Sequence, residues 1–324
     1  MKAAVHTRYG PPDVVRISEV GTPAPRDGEL LVKVHATTVN RTDCHYRSGR
    51  PWIMRPLVSG LTGPKTSILG NEFAGQVVGA GPGVTSFRVG DRVFGYTEGP
   101  FGAHAEYLVI AGDGRVAAMP ANLGYEQAAP GTEGAHYALS HIRRAKIGSG
   151  HNVLVYGATG AIGSAAVQLL KTRGAQVTAV CATPHLELAR KLGADRVIDY
   201  TAGDFTRDGP HYDVVFDAAG KSSFGRCKRA LKPGGIYMST GPGPWNQNLI
   251  LPLTTALLRG KKVMFAYPRL DQATVRHFEQ LMASGQFTPV IDRHYRLDQI
   301  VDAYRYVETG QKIGNVVIMV DPSR

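Results

Sequence analysis

Cysteine is scarce in this chain: Cys44, Cys181 and Cys227 are the three in 324 residues, with no short spacing between them. An odd, dispersed set builds neither a disulfide framework nor a cysteine-rich zinc site, and a reducing cytoplasm is the expected compartment. Long apolar runs are missing too. The longest candidate, 249–258, carries Pro252 and two threonines and falls short of the roughly 18 residues a spanning helix needs, so no membrane partner is expected. The opening MKAAVHTRYGPP lacks the apolar core of a secretory signal. Acidic residues are in deficit, 26 against 37 Lys and Arg, for a formal net charge of +11. Such a surplus raises nucleic acid as a partner. The basic residues are scattered, however, and the longest runs are pairs such as Arg143-Arg144 and Lys261-Lys262. A general positive field that draws in small anions fits better, and no nucleic-acid partner is expected.

Glycine and proline are plentiful, 39 and 20, and imply many tight turns rather than a bare helical bundle. At roughly 150 residues per domain the length suggests two domains. Two textures alternate. Residues 1–120 read as short strands and turns, with β-rich runs at 30–34, 75–79 and 92–96 between Gly/Pro punctuation. From Asn152 the pattern becomes strand, helix, strand, helix. Residues 153–156 form the continuous apolar run of a buried parallel strand. Ile162, Ala166 and Leu169 then recur at helical spacing. Further strands at 177–181, 197–198, 214–216, 236–239 and 263–265 predict a doubly wound α/β domain of about six strands. Helical patterns return at 273–283 and 299–307, and a strand at 316–320 closes the chain. A terminal strand needs a sheet, and the N-terminal β region is its natural host. The expected division is therefore 1–122, an inserted 123–267 and a returning 268–324.

The sharpest local signal is Gly157-Ala158-Thr159-Gly160-Ala161-Ile162-Gly163, directly after one strand and directly before a helix. Small residues there let the backbone approach a pyrophosphate, whose charge rests on the helix N-terminus. The spacing is GxxGxxG rather than GxGxxG, and the strand–turn–helix context carries the reading. An NAD site expects an acid about 20 residues beyond the motif. Here the second strand ends Cys181-Ala182-Thr183-Pro184-His185, with no carboxylate before Glu187 and with Arg190 and Lys191 nearby. That favours NADPH, with Thr183 and His185 as candidate contacts. The bland alternative for Arg190 and Lys191 is a solvated helix face.

The segments 70–96 (GNEFAGQVVGAGPGVTSFRVGDRVFGY), 102–110 (GAHAEYLVI), the GATGAIG turn and 191–200 (KLGADRVIDY) occur in this order in medium-chain dehydrogenases/reductases. The chain resembles their zinc-independent branch, the quinone oxidoreductases and related double-bond reductases. The resemblance implies a GroES-like β-rich catalytic domain with an inserted Rossmann domain, and commonly a homodimer joined through sheet edges. In the zinc branch a C-x-x-D segment and a G-H-E segment supply ligands. Here they read Asn40-Arg41-Thr42-Asp43 and Gly70-Asn71-Glu72, and the third ligand would fall near Pro130 or Gly131, so no metal is expected. Without a Lewis acid, hydride transfer from NADPH to a quinone, enal or enone is the chemistry easiest to support, because these acceptors spread the incoming charge onto an oxygen.

The resemblance places Asn40, His45 and Tyr46 beside the nicotinamide, with His45 or Tyr46 as proton donor and Asn40 as donor to a substrate carbonyl. A turn Asn bonded to its own backbone is the alternative for Asn40. It also implies cofactor contacts from Tyr200, Ala219, Gly220, Thr240, Gly241, Phe265, Ala266 and Asn315. Residues 50–65, with Trp52, Ile53, Met54 and Leu61, read as an apolar flap over the substrate, with ordinary packing at a domain edge as the alternative. A second reading stays open: a zinc-type alcohol dehydrogenase that has lost its ligands and serves as a non-enzymatic NADPH-binding or redox-sensing protein.

Overall fold

Strands buried on both faces, alternating with helices, build a parallel sheet, whereas short strands separated by turns build an antiparallel one. Both occur in the computed structural model, which describes residues 1–50, 60–97, 99–207, 209–243, 246–257 and 260–320. In chain order the first elements are β1 (Lys2–Val5), β2 (Arg16–Glu19), β3 (Glu29–Val39), α1 (Arg41–Ser48), β4 (Glu72–Ala80), β5 (Arg92–Tyr96), β6 (Tyr107–Ala111), β7 (Val116–Ala118), α2 (Tyr125–Ala128) and α3 (Glu133–Arg144). The alternating part follows: β8 (Asn152–Tyr156), α4 (Ala161–Lys171), β9 (Gln176–Cys181), α5 (Leu186–Lys191), β10 (Arg196–Asp199), β11 (Tyr212–Asp217), α6 (Phe224–Cys227), β12 (Leu231–Ser239), α7 (Gln247–Leu257) and β13 (Lys262–Met264). The chain ends with α8 (Gln272–Ala283), β14 (Ile291–Arg296), α9 (Ile300–Glu308) and β15 (Asn315–Met319).

Two compact units result, Met1–Glu133 with Leu270–Arg324, and Gly134–Arg269. The first boundary falls at Glu133 rather than at 122, because α2 packs on β3 and β4 and so stays with the first unit. In that unit β3 is the shared strand. It pairs antiparallel with β4, with β6 along its first half and with β15 along its last residues, Val316 opposite Val39. The terminal strand thus completes the N-terminal sheet. Its residues 315–318 are all buried, and Val316 and Ile318 join Leu30, Val32, Phe73 and Val93 in one core. The second unit is a six-stranded parallel sheet in the order β10-β9-β8-β11-β12-β13. Its order reverses direction beside β8, the switch point where open α/β sheets place their ligands.

Helix α1 had no counterpart in the apolar pattern, since its sequence RTDCHYRS carries no amphipathic stripe. It forms around an N-terminal capping box and stops at Gly49, φ 61°. Trp52, Ile53 and Met54 of the expected flap lie outside the described residues, and Leu61 is exposed. No helix among the described residues is long and apolar enough to cross a membrane.

If β15 holds the first unit together, Ile318→Ala lowers stability by about 3 kcal/mol through lost burial and a cavity. Ile17→Ala, on the exposed face of β2, changes it by less than about 0.5 kcal/mol. Denaturant unfolding of the two variants checks this, and equal losses would contradict it.

Candidate active site

Gly157 stands at φ 77°, and a Cβ there would lie 2.7 Å from the Cβ of Ala219. A Cβ on Gly163 would lie 2.1 Å from the Gly157 carbonyl oxygen, so α4 can pack this closely on the turn only with glycine. Between them Gly160 is the N-cap of α4 and supplies no side-chain cap, and no acid occupies the first turn of the helix. A Cβ on Gly160 would meet only the Gly157 oxygen, at 3.6 Å. With no side-chain cap and no acid at this end, the start of α4 suits an anion, and the glycine cradle fits a dinucleotide pyrophosphate. Ala158 and Thr159 are buried beneath it, and Ala161 and Ile162 are half-buried.

The neighbouring strand ends gather at the same place. Asp217, fully buried at the end of β11, accepts from Ser222 N–H at 2.8 Å and from the Tyr237 hydroxyl at 3.1 Å. Burial raises its carboxyl above the usual carboxylate range. These bonds hold the loop that carries Ala219 and Gly220. Thr240 closes on it, with its N–H on the Asp217 carbonyl at 3.2 Å and its hydroxyl on the Ala218 carbonyl at 3.2 Å. A Cβ on Gly220 would meet Gly241 at 3.5 Å. Phe265 and Ala266 follow β13, whose Met264 pairs with Met238 of β12. Tyr200 is 46% exposed, its ring 6.1 Å from that of Tyr156. Asn315 belongs to the first unit, where its amide donates to the Val290 carbonyl at 2.9 Å.

The tip of β9 differs from what its own residues suggest. Parallel pairing sets Asp199 of β10 opposite Cys181, and the Thr183 hydroxyl donates to the Asp199 carboxylate. The Thr201 hydroxyl donates to the same carboxylate at 2.6 Å and the Thr201 N–H at 2.8 Å. A carboxylate does stand beside this tip, supplied by the next strand. Arg190 is exposed and pairs with Glu187 at 3.5 Å, and His185 is half-buried.

In the first unit Asn40 caps α1: its Oδ1 accepts the Asp43 N–H at 3.1 Å, and the Asp43 carboxylate accepts the Asn40 N–H at 3.0 Å. Asp43 also accepts the Gly70 N–H at 3.1 Å, so it anchors the loop. The Asn40 amide then donates to Asn71 Oδ1 at 2.6 Å, and Asn71 Nδ2 donates to Glu133 Oε2 at 3.3 Å. Thr42 donates to the other Glu133 oxygen at 2.6 Å. Glu133 rather than Pro130 or Gly131 meets Asn71, and through it Asn40. Both amide oxygens are occupied as acceptors, and amides are poor Zn²⁺ ligands beside thiolate or imidazole. This donor set does not fit zinc. Among the described residues no three of His, Cys, Asp or Glu form a group that could hold a metal.

Glu72 supports this chain from beneath. It is fully buried and accepts the Thr38 hydroxyl at 2.7 Å, the Thr132 N–H at 3.0 Å and hydroxyl at 2.9 Å, and the Glu133 N–H at 2.6 Å. Burial raises its pKa against these donors. Lys312 is pushed down to about 8 by desolvation, opposed first by the charge of Glu72. His104 is pushed down to about 4 by burial, so at neutral pH it is uncharged and its 3.9 Å approach to Asp43 is no ion pair. Its Nε2 instead donates to the Thr38 carbonyl at 2.7 Å. On α1, His45 is exposed, with a pKa lowered by the surrounding chain and by Arg41. Tyr46 packs edge-on against Phe101, ring centroids 4.5 Å apart, and lines a cavity of about 50 Å³ with His6, Lys65 and Leu69.

Residues 26–129 match the alcohol dehydrogenase GroES-like domain, and 192–318 match the zinc-binding dehydrogenase domain. A 2-methylene-furan-3-one reductase of Solanum lycopersicum is 30% identical over 98% of this chain and 79% of its own. The family is thereby decided. The chain belongs to the medium-chain dehydrogenases/reductases, in the quinone oxidoreductase-like branch. A chloroplastic NADPH-dependent alkenal/one oxidoreductase of Arabidopsis thaliana is also 30% identical, over 99% of this chain and 80% of its own. The solved quinone oxidoreductase from Coxiella burnetii superposes with a TM-score of 0.86 at 25% identity, covering 99% of both chains. As a medium-chain dehydrogenase/reductase this chain is an NAD(P)H-dependent oxidoreductase.

Glu72→Ala strands four buried donors and should cost about 3 kcal/mol or more, with Glu72→Gln costing less because the amide oxygen still accepts. A carboxyl whose folded-state pKa is raised favours the folded state fully below its ordinary value and loses that contribution as pH rises through the raised one. Denaturant unfolding from pH 4 upward should therefore show the wild type declining relative to Glu72→Gln. Parallel pH profiles would contradict the assignment.

Proposed function

We propose that this chain reduces a quinone, or the conjugated double bond of an enal or enone, by hydride transfer from NADPH without a metal ion. The observation that carries the reading is the Asn40–Asn71–Glu133 hydrogen-bonded chain, standing where the zinc branch places its ligands, in a molecule whose nucleotide turn is intact. The tomato 2-methylene-furan-3-one reductase and the Arabidopsis NADPH-dependent alkenal/one oxidoreductase, both similar over nearly the whole chain, support the substrate class. When bound, NADPH supplies the hydride. The protein's part is to hold the pyrophosphate on Gly157–Gly163, to fix the Ala219–Gly220 and Thr240–Gly241 loops through Asp217, and to present α1 to the acceptor. Tyr46 and His45 are the candidate proton donors on that helix. Asn40 acts through its cap, holding the helix start.

The NADPH preference rests on the exposed cations that follow β9, Arg190 and Lys191, which suit a 2′-phosphate, with the half-buried His185 preceding them in sequence. The non-enzymatic, redox-sensing reading is less well supported. Burial pushes Cys44 up to about 12 and Cys181 and Cys227 to about 11, whereas a redox-reactive thiol needs exposure and a lowered pKa. A homodimer is part of the proposal: β13 is a sheet edge, Tyr267 beyond it is 81% exposed, and Leu253 and Leu257 of α7 are 73% and 89% exposed. A bare apolar edge invites pairing with a second copy.

Oxidation of NADPH against a panel of quinones, enals and enones tests the reaction. Turnover of none of them would overturn it. His45→Ala or Tyr46→Phe, whichever removes the donor, should lower enal reduction by about 100-fold or more with cofactor binding unchanged. Quinone reduction should fall far less, because water can protonate a hydroquinone anion. Neither variant changing either rate by more than about threefold would dismiss both as donors. Activity should persist in chelator, and one zinc per chain by elemental analysis would refute the metal-free mechanism. Light scattering should give twice the 34.8 kDa chain mass, and a monomer mass would refute the dimer.

A further inference from the structure

Charges of both signs, Asp199 and Arg190, bear on the tip of β9. Burial raises the Cys181 thiol at its end, the charge of Asp199 raises it further, and that of Arg190 lowers it. An adenosine ribose seated on the glycine turn has its 2′ position at the end of this second strand. Arg190 there attracts a 2′-phosphate. Asp199 opposes it.

We propose that Asp199 is a specificity-determining residue that restrains the preference of this chain for a 2′-phosphorylated adenosine ribose and lets the unphosphorylated one compete. The inference rests on the nucleotide reading given above and goes beyond it. Three observations carry it. Asp199 belongs to β10, not to the strand whose end meets the ribose, and reaches the tip through the parallel register that sets it opposite Cys181. Its hydrogen-bond donors at that tip, the Thr183 and Thr201 hydroxyls and the Thr201 N–H, are neutral, so they orient the carboxylate without cancelling its charge. They also hold it ionised, keeping its pKa below the usual carboxylate value.

The third point concerns Thr183 itself. Its hydroxyl hydrogen is committed to Asp199, and its oxygen lies 3.0 Å from the Thr201 hydroxyl. A Thr183 in this state offers an acceptor lone pair to a ligand rather than a donor. An acceptor pair made of Thr183 and Asp199 suits a ribose 2′-hydroxyl, which donates. A 2′-phosphate accepts only, and meets a full negative charge. Replacing Asp199 by Asn removes the charge and supplies an N–H donor, and with the amide nitrogen toward Thr183 that hydroxyl is free to donate.

Isothermal titration of the intact protein with 2′,5′-ADP and with 5′-AMP reads the effect without turnover. Asp199→Asn should tighten 2′,5′-ADP by about tenfold and leave 5′-AMP unchanged or weaker by up to about threefold. Asp199→Ser should shift 2′,5′-ADP the same way, which separates the loss of charge from the amide's own hydrogen bond. Retained 5′-AMP binding certifies that each variant is folded. Unchanged 2′,5′-ADP affinity in both variants, or equal tightening of both nucleotides, would overturn the role of Asp199 while leaving the nucleotide site standing. Failure of the wild-type protein to bind either nucleotide would instead overturn the nucleotide reading, and this inference with it.

Discussion

A carboxylate without access to water must find its donors inside the protein, and Glu72 finds four: two hydroxyls and two backbone N–H groups. Those donors come from β3 and from the turn that opens α3. One side chain therefore fixes where β3 sits against β4 and where α3 begins. Because Glu133 is the first residue of α3, the same bonds deliver its carboxylate to Asn71, the neighbour of Glu72 in sequence. An unmet donor at that depth costs 1–3 kcal/mol, so the arrangement has few alternatives of comparable stability. The second unit repeats the device at Asp217, a buried carboxylate at a strand end whose donors shape the loop in front of it. In both units the positioning group is fully buried behind the backbone it arranges.

Much of this was legible in the sequence. The turn Gly157–Gly163 could be read because its cause is local: a backbone at positive φ and a helix packed too near for a Cβ leave their mark in three glycines. The six-stranded sheet was legible in its apolar runs for the same reason. Helix α1 was not, because its stability comes from a cap and from burial of Cys44 and Arg47 rather than from an apolar stripe. The signal lay in Asn40-x-x-Asp43 with Gly49 eight residues after the first helical position, which is cap chemistry rather than periodicity.

Asp199 and Glu133 were hidden for a different reason. The acid expected at the tip of a second Rossmann strand is sought along that strand and just beyond it, and the run from 176 to 185 contains none. Parallel pairing makes the end of one strand adjacent to the end of the next, so the charge at a tip belongs to the sheet and not to a single run of sequence. Glu133 likewise reaches Asn71 across 62 positions. Both lie in view once strand order and register are known, and a search confined to spacing passes over them.

The Asn40–Asn71 pair shows how a fold can keep a site's geometry after changing its chemistry. A metal ion would tie the start of α1, the start of β4 and the start of α3 to one point. Here an amide-to-amide bond and an amide-to-carboxylate bond tie the same three starts together. The link is directional, since each amide has one donor side and one acceptor side. Asn40 therefore has its acceptor committed to the helix cap and a donor to Asn71, so its orientation is set by both neighbours. What such a link cannot supply is a Lewis acid, and stabilisation of developing charge must come from hydrogen-bond donors and from the acceptor itself. A conjugated acceptor that delocalises the charge asks least of such a site, which is why the geometry of α1 and the nature of the substrate belong to one argument.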